Sequence, residues 1–395
     1  LFEAEAQVRA GIVEAIHSRT IVVDGKPGAW SGFQFDFTGS VFFYPVTFTG
    51  SCWGRPLSLR GCTYHASADF SDSVFGGPTS FGYSVYRQAA KVHGCTFNGP
   101  VFFGVSHYHQ GLDARTNLYN SDADFSGSVY RDDAYLHGCN YYGDANLSRC
   151  TYFGEAVLAG STYMRDAAFQ SSVYYGYASL SSRCREHADF SHCVYFSDMD
   201  MYDSQYRGYT DFTHCVYYGN ANFGASSYEG TVSFSGSTYL GDVAMGQCRY
   251  EAGVDFSGSL YLGGPSREPA GMAGSSYGGA ANFGQSIYCG TADIGESKFM
   301  AGAPSFDGCI FDPTVNNYFG NGPGGRYDIR LVGGFPAGAR ALSLSQAAQM
   351  GVHLRAIEAL VASLYDVPPG TDAHRGVHQR VLEACTVFAR RVRSL

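Results

Sequence analysis

The chain has 395 residues and a formal net charge of −9, with 45% hydrophobic and only 15% charged residues. This acidic balance argues against nucleic-acid binding by bulk electrostatic attraction, and no apolar run is long enough to cross a membrane. Tyr, Phe and Gly are abundant, at 30, 29 and 51 residues, which favours stacked β structure with tight turns over a helical enzyme.

The first predicted element is a helix over residues 1–19. Its apolar residues recur at near-helical spacing, at Phe2, Val8, Ile12, Val13 and Ile16. This pattern predicts an apolar side that covers the open end of the domain that follows. The stretch TIVVDG then predicts a first strand and a turn.

Residues 20–318 repeat a short unit. A large residue follows a pair such as AD or AN at every eleventh position, as at Phe125, Leu136, Leu147, Leu158 and Phe169. One residue is lost before Phe190, and a five-residue excess lies at 262–272, which predicts a surface loop there. Five residues after this first ladder comes a second, mostly Tyr, which includes Tyr64, Tyr86, Tyr130, Tyr152, Tyr174, Tyr195, Tyr217, Tyr239 and Tyr261.

A spacing of five and six residues fits neither a helix nor a long alternating strand. It fits short strands joined by tight corners, with one large inward residue on each side. Such a unit cannot bury its own apolar surface and has to stack on copies of itself. Two units make a coil of about 22 residues, so the repeat predicts an all-β solenoid with four sides and about a dozen coils of parallel strands.

The pentads ADFSG, ANFGA, ANLSR, ADFSH and TDFTH resemble the repeats of the pentapeptide-repeat family, in the variant where pairs of pentapeptides carry one extra residue. The resemblance covers roughly residues 33–311, about 70% of the chain. It implies a right-handed quadrilateral β-helix that is non-catalytic and acts through protein interactions. It also implies a more specific role, because some members mimic duplex DNA in charge and shape and bind type II topoisomerases.

A column of Ser and Cys lies two residues before the second ladder and holds eight of the twelve Cys. These are Cys62, Cys95, Cys139, Cys150, Cys193, Cys215, Cys248 and Cys309. The position requires a small inward side chain, and a buried Cys behaves as a small hydrophobe. We therefore expect reduced, packed thiols in an intracellular protein, cytoplasmic or inside an organelle, rather than a redox or metal array.

His192–Cys193 and His214–Cys215 lie one coil apart and would suit zinc by residue type. Neighbouring residues in a strand point to opposite sides, so the Cys side chains are expected inside and the His side chains outside. His107 and His109 are expected on the surface. The sequence thus predicts no catalytic residue, no metal site and no cofactor, and it contains no nucleophile or phosphate-binding motif.

Two further columns each have a structural and a functional interpretation. The Tyr rings are expected near a corner where each hydroxyl reaches water or a backbone carbonyl, and a ligand-binding aromatic strip is the alternative. Asp or Asn precedes the first ladder, and Asp189, Asp211 and Asp255 should share a face. Turn hydrogen bonding is the simpler role for them. An acidic stripe would suit DNA mimicry, although Ser, Ala, Val and Lys91 interrupt it.

The C-terminal part is predicted as a Gly-rich linker over 319–342 and a helical hairpin over 343–395. Segment 340–395 has seven Arg and four acidic residues, whereas the rest of the chain carries −12. The hairpin is expected to cover the last coil and to contact a second copy or a partner protein.

Within the hairpin, the first helix should begin at Ser343 or Ser345 and end at Tyr365. The second should begin at Thr371 or Asp372, after the break made by two prolines and a glycine.

The function that fits these features is a non-catalytic scaffold or protein-interaction subunit in a larger assembly. The alternatives are a regulator of a type II topoisomerase by DNA mimicry and a secreted or translocated effector. The expected partners are proteins, or second copies of the chain, bound through the terminal helices or the solenoid faces. Neither direct nucleic-acid binding nor membrane insertion is expected.

Overall fold

A computed structural model describes residues 2–263, 270–290, 292–312, 314 and 338–395. The chain divides into two units. Unit 1 is Leu1–Cys193 with Gln205–Gly208, and unit 2 is Val194–Ser204 with Tyr209–Leu395. Unit 1 begins with helix α1 (Phe2–Thr20), and unit 2 ends with helices α2 (Leu344–Tyr365) and α3 (Asp372–Ser394).

In both units the chain winds through four very short strands per coil, and each strand pairs in parallel with the strand one coil later. The four resulting sheets are called faces 1 to 4 in the order in which the chain meets them. The strands of both units make about twelve coils. The predicted all-β solenoid with four sides is therefore confirmed.

The strands of unit 1 have two or three residues each. Face 1 contains Phe35–Asp36, Leu57–Ser58, Thr79–Ser80, Val101–Phe102, Ala123–Asp124, Ala145–Asn146, Ala167–Ala168 and Ala188–Asp189. Face 2 contains Val41–Phe42, Thr63–Tyr64, Val85–Tyr86, His107–Tyr108, Val129–Tyr130, Thr151–Tyr152 and Val173–Tyr174. Face 3 contains Val46–Thr47, Ala68–Asp69, Ala90–Lys91, Leu112–Asp113, Ala134–Tyr135, Ala156–Val157 and Ala178–Ser179. Face 4 contains Cys52–Trp53, Val74–Phe75, Thr96–Phe97, Leu118–Tyr119, Asn140–Tyr141, Ser161–Tyr163, Ser182–Cys184 and Gln205–Tyr206.

Unit 2 repeats the arrangement. Face 1 contains Thr210–Asp211, Val232–Ser233, Val254–Asp255 and Ala281–Asn282. Face 2 contains Val194–Tyr195, Val216–Tyr217, Thr238–Tyr239, Leu260–Tyr261, Ile287–Tyr288, Ile310–Phe311 and Arg340–Ala341. Face 3 contains Met199–Asp200, Ala221–Asn222, Val243–Ala244, Ala270–Gly271 and Ala292–Asp293. Face 4 contains Ser227–Tyr228, Arg249–Tyr250, Ser276–Tyr277 and Lys298–Phe299.

The alternation of side chains within each strand explains the spacing of five and six residues. On faces 1 and 3 the outward residue lies between two buried ones, as Asp124 does between Ala123 and Phe125. On most strands of faces 2 and 4 the first residue points outward and the second is a buried aromatic ring, as in Val129–Tyr130. The large inward residues therefore fall alternately five and six positions apart, and the core fills the inside of each coil.

The corner after the first ladder needs a left-handed backbone. Gly127 has φ +66° there, and Arg149, Ser171 and His192 adopt the same conformation at +57°, +60° and +58°. The residue lost before Phe190 is this left-handed one, since no residue between Ser171 and His192 has a positive φ. The shortened corner is followed by the three-residue face-4 strand Ser182–Cys184. This strand pairs with Ser161–Tyr163 of the preceding coil, with Ser182 opposite Ser161.

The five-residue excess in unit 2 is confirmed by strand pairing. Ala244 pairs with Gly271 and Arg249 with Ser276, each 27 residues away, whereas most pairs are 22 residues apart. The predicted surface loop lies mostly outside the described residues, which omit 264–269.

Helix α1 packs on the first coil, as predicted, but through a different side. Ala6 and Ile16 are buried, and the His17 ring lies edge-on to Phe48 at 6.2 Å. Val8 and Ile12 are 64% and 53% exposed, so the prediction that they belong to the covering side is wrong. The side that contacts the coil includes Ala6, whose small side chain allows a close approach.

The stretch TIVVDG does not form the predicted strand. Ile21 makes an isolated antiparallel bridge to Ser51, and Val23 makes another to Lys26 across a turn. The bridge to Ser51 ties the end of α1 to the first coil.

The helical hairpin begins and ends where the sequence predicts. Ser343 caps α2 with a complete capping box to Gln346, and Thr371 caps α3 by accepting the N–H of His374. The predicted linker over 319–342 extends too far. Its residues Arg340–Ala341 form a strand that pairs with Ile310–Phe311 on face 2. The glycine-rich stretch at 320–326 lies outside the described residues. Within the described ranges no helix is both apolar enough and long enough to cross the bilayer.

At the corner that follows the second ladder, glycine is a packing requirement in unit 1. A Cβ on Gly176 would collide with the carbonyl of Gly154 on the preceding coil, whereas a Cβ on Gly11 of α1 would meet open space. We expect Gly176→Ala to lower the free energy of unfolding by about 1–3 kcal/mol through overpacking. Gly11→Ala should leave it unchanged or raise it by up to ~1 kcal/mol. Urea unfolding of both variants checks this, and equal stability of the two would contradict the close approach of the coils.

Candidate protein-interaction surfaces

The Asp and Asn residues that precede the first ladder serve the turns. Asp189 accepts the N–H of Ser191 at 2.9 Å, and Asp211 accepts the N–H of Thr213 at 2.8 Å. The same bond is made by Asp36, Asp69, Asp124, Asn146, Asp200, Asn222, Asp255, Asn282 and Asp293. The simpler interpretation of this column is confirmed. One oxygen of each of these Asp carboxylates already accepts a backbone N–H within its own turn.

The Ser and Cys column forms a chain of hydrogen bonds between coils. The Cys150 thiol donates to the carbonyl of Phe125 at 3.3 Å, and the Cys150 N–H donates to the Ser172 hydroxyl at 3.0 Å. Ser172 donates in turn to the carbonyl of Leu147 at 3.2 Å. The column was expected only to supply small inward side chains; it also satisfies backbone groups at the corners.

The twelve Cys, all of them described, form no disulfides, and all except half-buried Cys52 are buried. Burial raises the pKa of Cys150 to about 11 and that of Cys95 to about 12. Such thiols stay protonated at neutral pH and are poor nucleophiles and metal ligands.

The histidines singled out in the sequence lie outside the core. His192 and His214 are exposed at left-handed corners, whereas Cys193 and Cys215 are buried, so the predicted opposite orientation is confirmed. His107 is also exposed. Across the described ranges no three His, Cys, Asp or Glu side chains come together as a metal site would require.

The Tyr ladder is more deeply buried than the sequence suggests. The face-2 rings of Tyr64, Tyr86, Tyr108 and Tyr130 stack in parallel at 4.6, 4.8 and 5.0 Å. The hydroxyls of Tyr64, Tyr108 and Tyr130 are buried without a hydrogen-bond partner among the described residues. The expectation that they reach water or a carbonyl at a corner is therefore wrong, and buried rings cannot form an open aromatic strip. Burial also raises the pKa of these phenols.

Face 4 carries an aromatic ladder of its own, whose residues were not singled out in the sequence. Phe75 and Phe97 stack at 4.6 Å, and Tyr119 and Tyr141 stack at the same distance. Tyr119 differs from the face-2 rings in accepting a hydrogen bond from the Asn117 amide at 2.9 Å. The signal was present, since these residues lie five positions after the first ladder.

The helical hairpin lies along face 2 of unit 2. The His374 ring is edge-on to Phe196 at 4.7 Å, and the Tyr218 hydroxyl is 2.7 Å from Nδ1 of His378. At the far end of α3, Arg393 donates to the carbonyl of Gln285 at 3.2 Å. The expectation that the hairpin covers the end of the last coil is wrong. It follows the side of the solenoid because an apolar corner ridge there, formed by Phe196, Tyr218, Leu240 and Leu262, accepts it.

Two grooves mark further surfaces. In unit 2, about 610 Å³ lies between α2 and the corner ridge, lined by apolar side chains such as Leu240, Leu262 and Ile357. In unit 1, a shallow groove of about 560 Å³ runs along face 1, where three successive coils place Pro56, Pro78 and Pro100 at one corner.

Neither a family model nor a curated protein nor a solved structure matches this chain. The repeat solenoid and its covered side are therefore the features from which a function has to be inferred.

The Cys column generates a stability prediction. Cys150 lies between Ser128 and Ser172 in the column, and its side chain donates to the carbonyl of Phe125, so Cys150→Ser keeps this donor and should change the free energy of unfolding by less than about 1 kcal/mol. Cys150→Ala removes the donor, leaves the buried Phe125 carbonyl without it, and should cost about 1–3 kcal/mol. Denaturant unfolding under reducing conditions measures both values. A Ser variant as unstable as the Ala variant would show that the column is purely steric.

The contact between the hairpin and face 2 within unit 2 should weaken in acid. Burial lowers the pKa of His374, and burial together with nearby His374 lowers that of His378, from an ordinary value of 6.5. The folded state therefore resists protonation that the unfolded state accepts, and stability is lost as the pH falls below about 6.5. The melting temperature should drop between pH 7.5 and 5.5 by less in His374→Phe than in the native protein. His109→Phe, an exposed control in unit 1, should behave like the native protein, and an unchanged drop in His374→Phe would refute the assignment.

Proposed function

We propose that the protein is a non-catalytic scaffold or interaction subunit that holds partner proteins on the flat faces of its solenoid. The observation that carries the proposal is the packing of α2 and α3 along face 2 of unit 2. There the outward strand residues Leu260, Ile287 and Ile310 are buried. A face of this solenoid can therefore hold an amphipathic helix that spans several coils.

The outer side of the hairpin supports attachment through the terminal helices. Leu344, Val352 and Val387 are 72%, 57% and 48% exposed, and these apolar residues lie on the helices rather than on the solenoid. Single exposed apolar residues are common, but here they coincide with a segment that carries an excess of Arg. A protein surface, or a second copy of the acidic solenoid, is the partner that suits both properties.

A non-catalytic role agrees with where the ionisable groups lie. The inward phenols and thiols have raised pKa values and are closed off in the core, and the Asp column is occupied by turn hydrogen bonds. The buried, reduced thiols also favour an intracellular location.

The resemblance to pentapeptide-repeat proteins supports the same proposal, because that family uses its solenoid for protein interactions. A topoisomerase regulator that mimics DNA is the second candidate, and its support is the Asp column. That support is weaker, since Ser233 lies between Asp211 and Asp255 on face 1 of unit 2 and both carboxylates are bonded within turns. No feature of the described surface favours an effector.

Cross-linking of the tagged full-length protein in its source cells, followed by purification and mass spectrometry, tests the proposal. We expect a stoichiometric protein partner, or a second copy, with cross-linked sites on a solenoid face or on the outer side of the hairpin. Light scattering of the purified protein separates the two cases. A monomer that yields no stoichiometric cross-link at any surface would refute the scaffold.

A further inference from the structure

Face 2 of unit 1 carries a positively charged surface on an otherwise acidic protein. His65, Arg87, His109 and Arg131 occupy the same corner position on four successive coils, and all four are exposed. The spacing is fixed by backbone hydrogen bonds, because the N–H of His109 donates to Tyr86 and that of Arg131 donates to Tyr108, both at 2.8 Å. We call these four residues the basic ladder.

A stripe of mainly β-branched residues runs beside the basic ladder. The outward residues of the face-2 strands are Thr63, Val85, His107, Val129 and Thr151, and all except His107 are β-branched and half-buried. Tyr83 and Val105 lie on the other edge of the stripe and are 46% and 44% exposed. The surface therefore joins a largely β-branched strip to a row of basic side chains, of which Arg87 and Arg131 are always charged.

Carboxylates are lacking at the corners of the first three of these coils. The three corner positions after Tyr64, Tyr86 and Tyr108 contain no acidic residue, whereas Asp132, Asp133 and Glu155 lie at the corners after Tyr130 and Tyr152. Arg60 adds a further cation at the opposite edge, where its guanidinium lies 4.2 Å from the centre of the Tyr83 ring. A protein with a net charge of −9 thus has, at these corners of three successive coils, basic side chains without acidic neighbours at the same corner.

Unit 2 shows what this part of the coil can hold. Helix α3 runs along the stacking direction, since His374 contacts Phe196 and His378, four residues later, contacts Tyr218 on the next coil. The rings of Phe196 and Tyr218 are 4.9 Å apart. One turn of an α-helix rises about 5.4 Å, so a helix parallel to the stack advances by about one turn per coil.

We propose that face 2 of unit 1 is a docking site for an acidic amphipathic helix of a partner protein. The apolar side of this helix lies on the β-branched stripe, and carboxylates at successive turns meet the rungs of the basic ladder. Arg87 and Arg131 provide the permanent charges. Helix recognition of this kind combines apolar anchors spaced three and four residues apart with charge pairs at the edge. The inference rests on the proposed scaffold function and names the chemistry of one partner.

The test uses the full-length protein and a synthetic helical peptide with Leu at helical spacing and Glu at every fourth position beside the Leu side. A counterpart with Gln in place of each Glu controls for charge. Arg87→Glu/Arg131→Glu reverses two rungs. Arg165→Glu/Arg185→Glu makes the same charge change at exposed corners after face 4 of the same unit and is the matched control.

We expect the Glu peptide to bind the native protein, more weakly as salt increases. Affinity should fall at least about tenfold, ~1.4 kcal/mol, in Arg87→Glu/Arg131→Glu and by less than about twofold in the control. Equal losses in both variants, or equal binding of the Gln peptide, would overturn the docking site. Competition by duplex DNA at equal charge concentration would reassign the ladder to phosphate, and loss of a dimer in the ladder variant would reassign it to a second copy.

Peptide binding and cross-linking of the native protein together separate this inference from the proposed function. If the Glu peptide does not bind but the native protein yields a stoichiometric cross-linked partner, the scaffold stands and the acidic-helix site fails. If neither is found, both fail.

Discussion

Every other feature of this protein depends on the contact between successive coils. A coil of two-residue strands has almost no hydrogen bonds of its own, and its large side chains would be left in water. The next coil supplies both needs: Phe81 and Phe103 donate their N–H groups to the following coil at 2.7 Å, and their rings stack on each other at 4.8 Å. Stability is therefore a sum over neighbours, and no single coil can fold alone.

This constraint explains the composition. The inward positions admit flat or small side chains that repeat at the coil spacing, which accounts for the Tyr and Phe ladders and for the Ser and Cys column. The corners need either a left-handed residue or a close approach of backbones, which accounts for much of the Gly. What remains free to vary is the outward side chain of each strand and corner, and these positions decide what a face can bind.

The two units use this freedom differently on face 2. In unit 2 the corner ridge of Phe196, Tyr218 and Leu240 is apolar and covered by the hairpin of the same chain. In unit 1 the equivalent positions include Arg87 and Arg131 and are exposed. A covered face and an uncovered face on one repeat are the arrangement that the proposed scaffold role requires.

Much of the fold could be predicted from the sequence because a repeat reports the same physical requirement many times. The inward ladders, the Asx turns and the helix caps were all predicted. The position of the hairpin was not, because it depends on Phe196 and Tyr218, whose outward placement looks like one more aromatic pair in the sequence. Burial of the Tyr130 hydroxyl was also missed. A single Tyr would carry a cost for its unpaired hydroxyl, but rings fixed between two others by the coil spacing cannot tilt towards the surface.

The basic ladder was only partly visible in advance. The sequence predicts that His107 and His109 lie on the surface. Only the strand register shows that Arg87 and Arg131 lie one coil to either side of His109 and form a row with it. Periodicity fixes which residues share a column, whereas the charge of a whole face appears only after all four corners have been assigned.

Native-state hydrogen exchange tests the coil stack most directly. The amides of Phe81, Phe103 and Phe125 donate to the following coil, at 2.7, 2.7 and 2.8 Å. They should exchange only through cooperative opening and show protection close to the global free energy of unfolding. The exposed corner residues Gln88 and Gln110 in the same segment should exchange quickly. Uniformly fast exchange at the three Phe amides would contradict a solenoid held together by bonds between its coils.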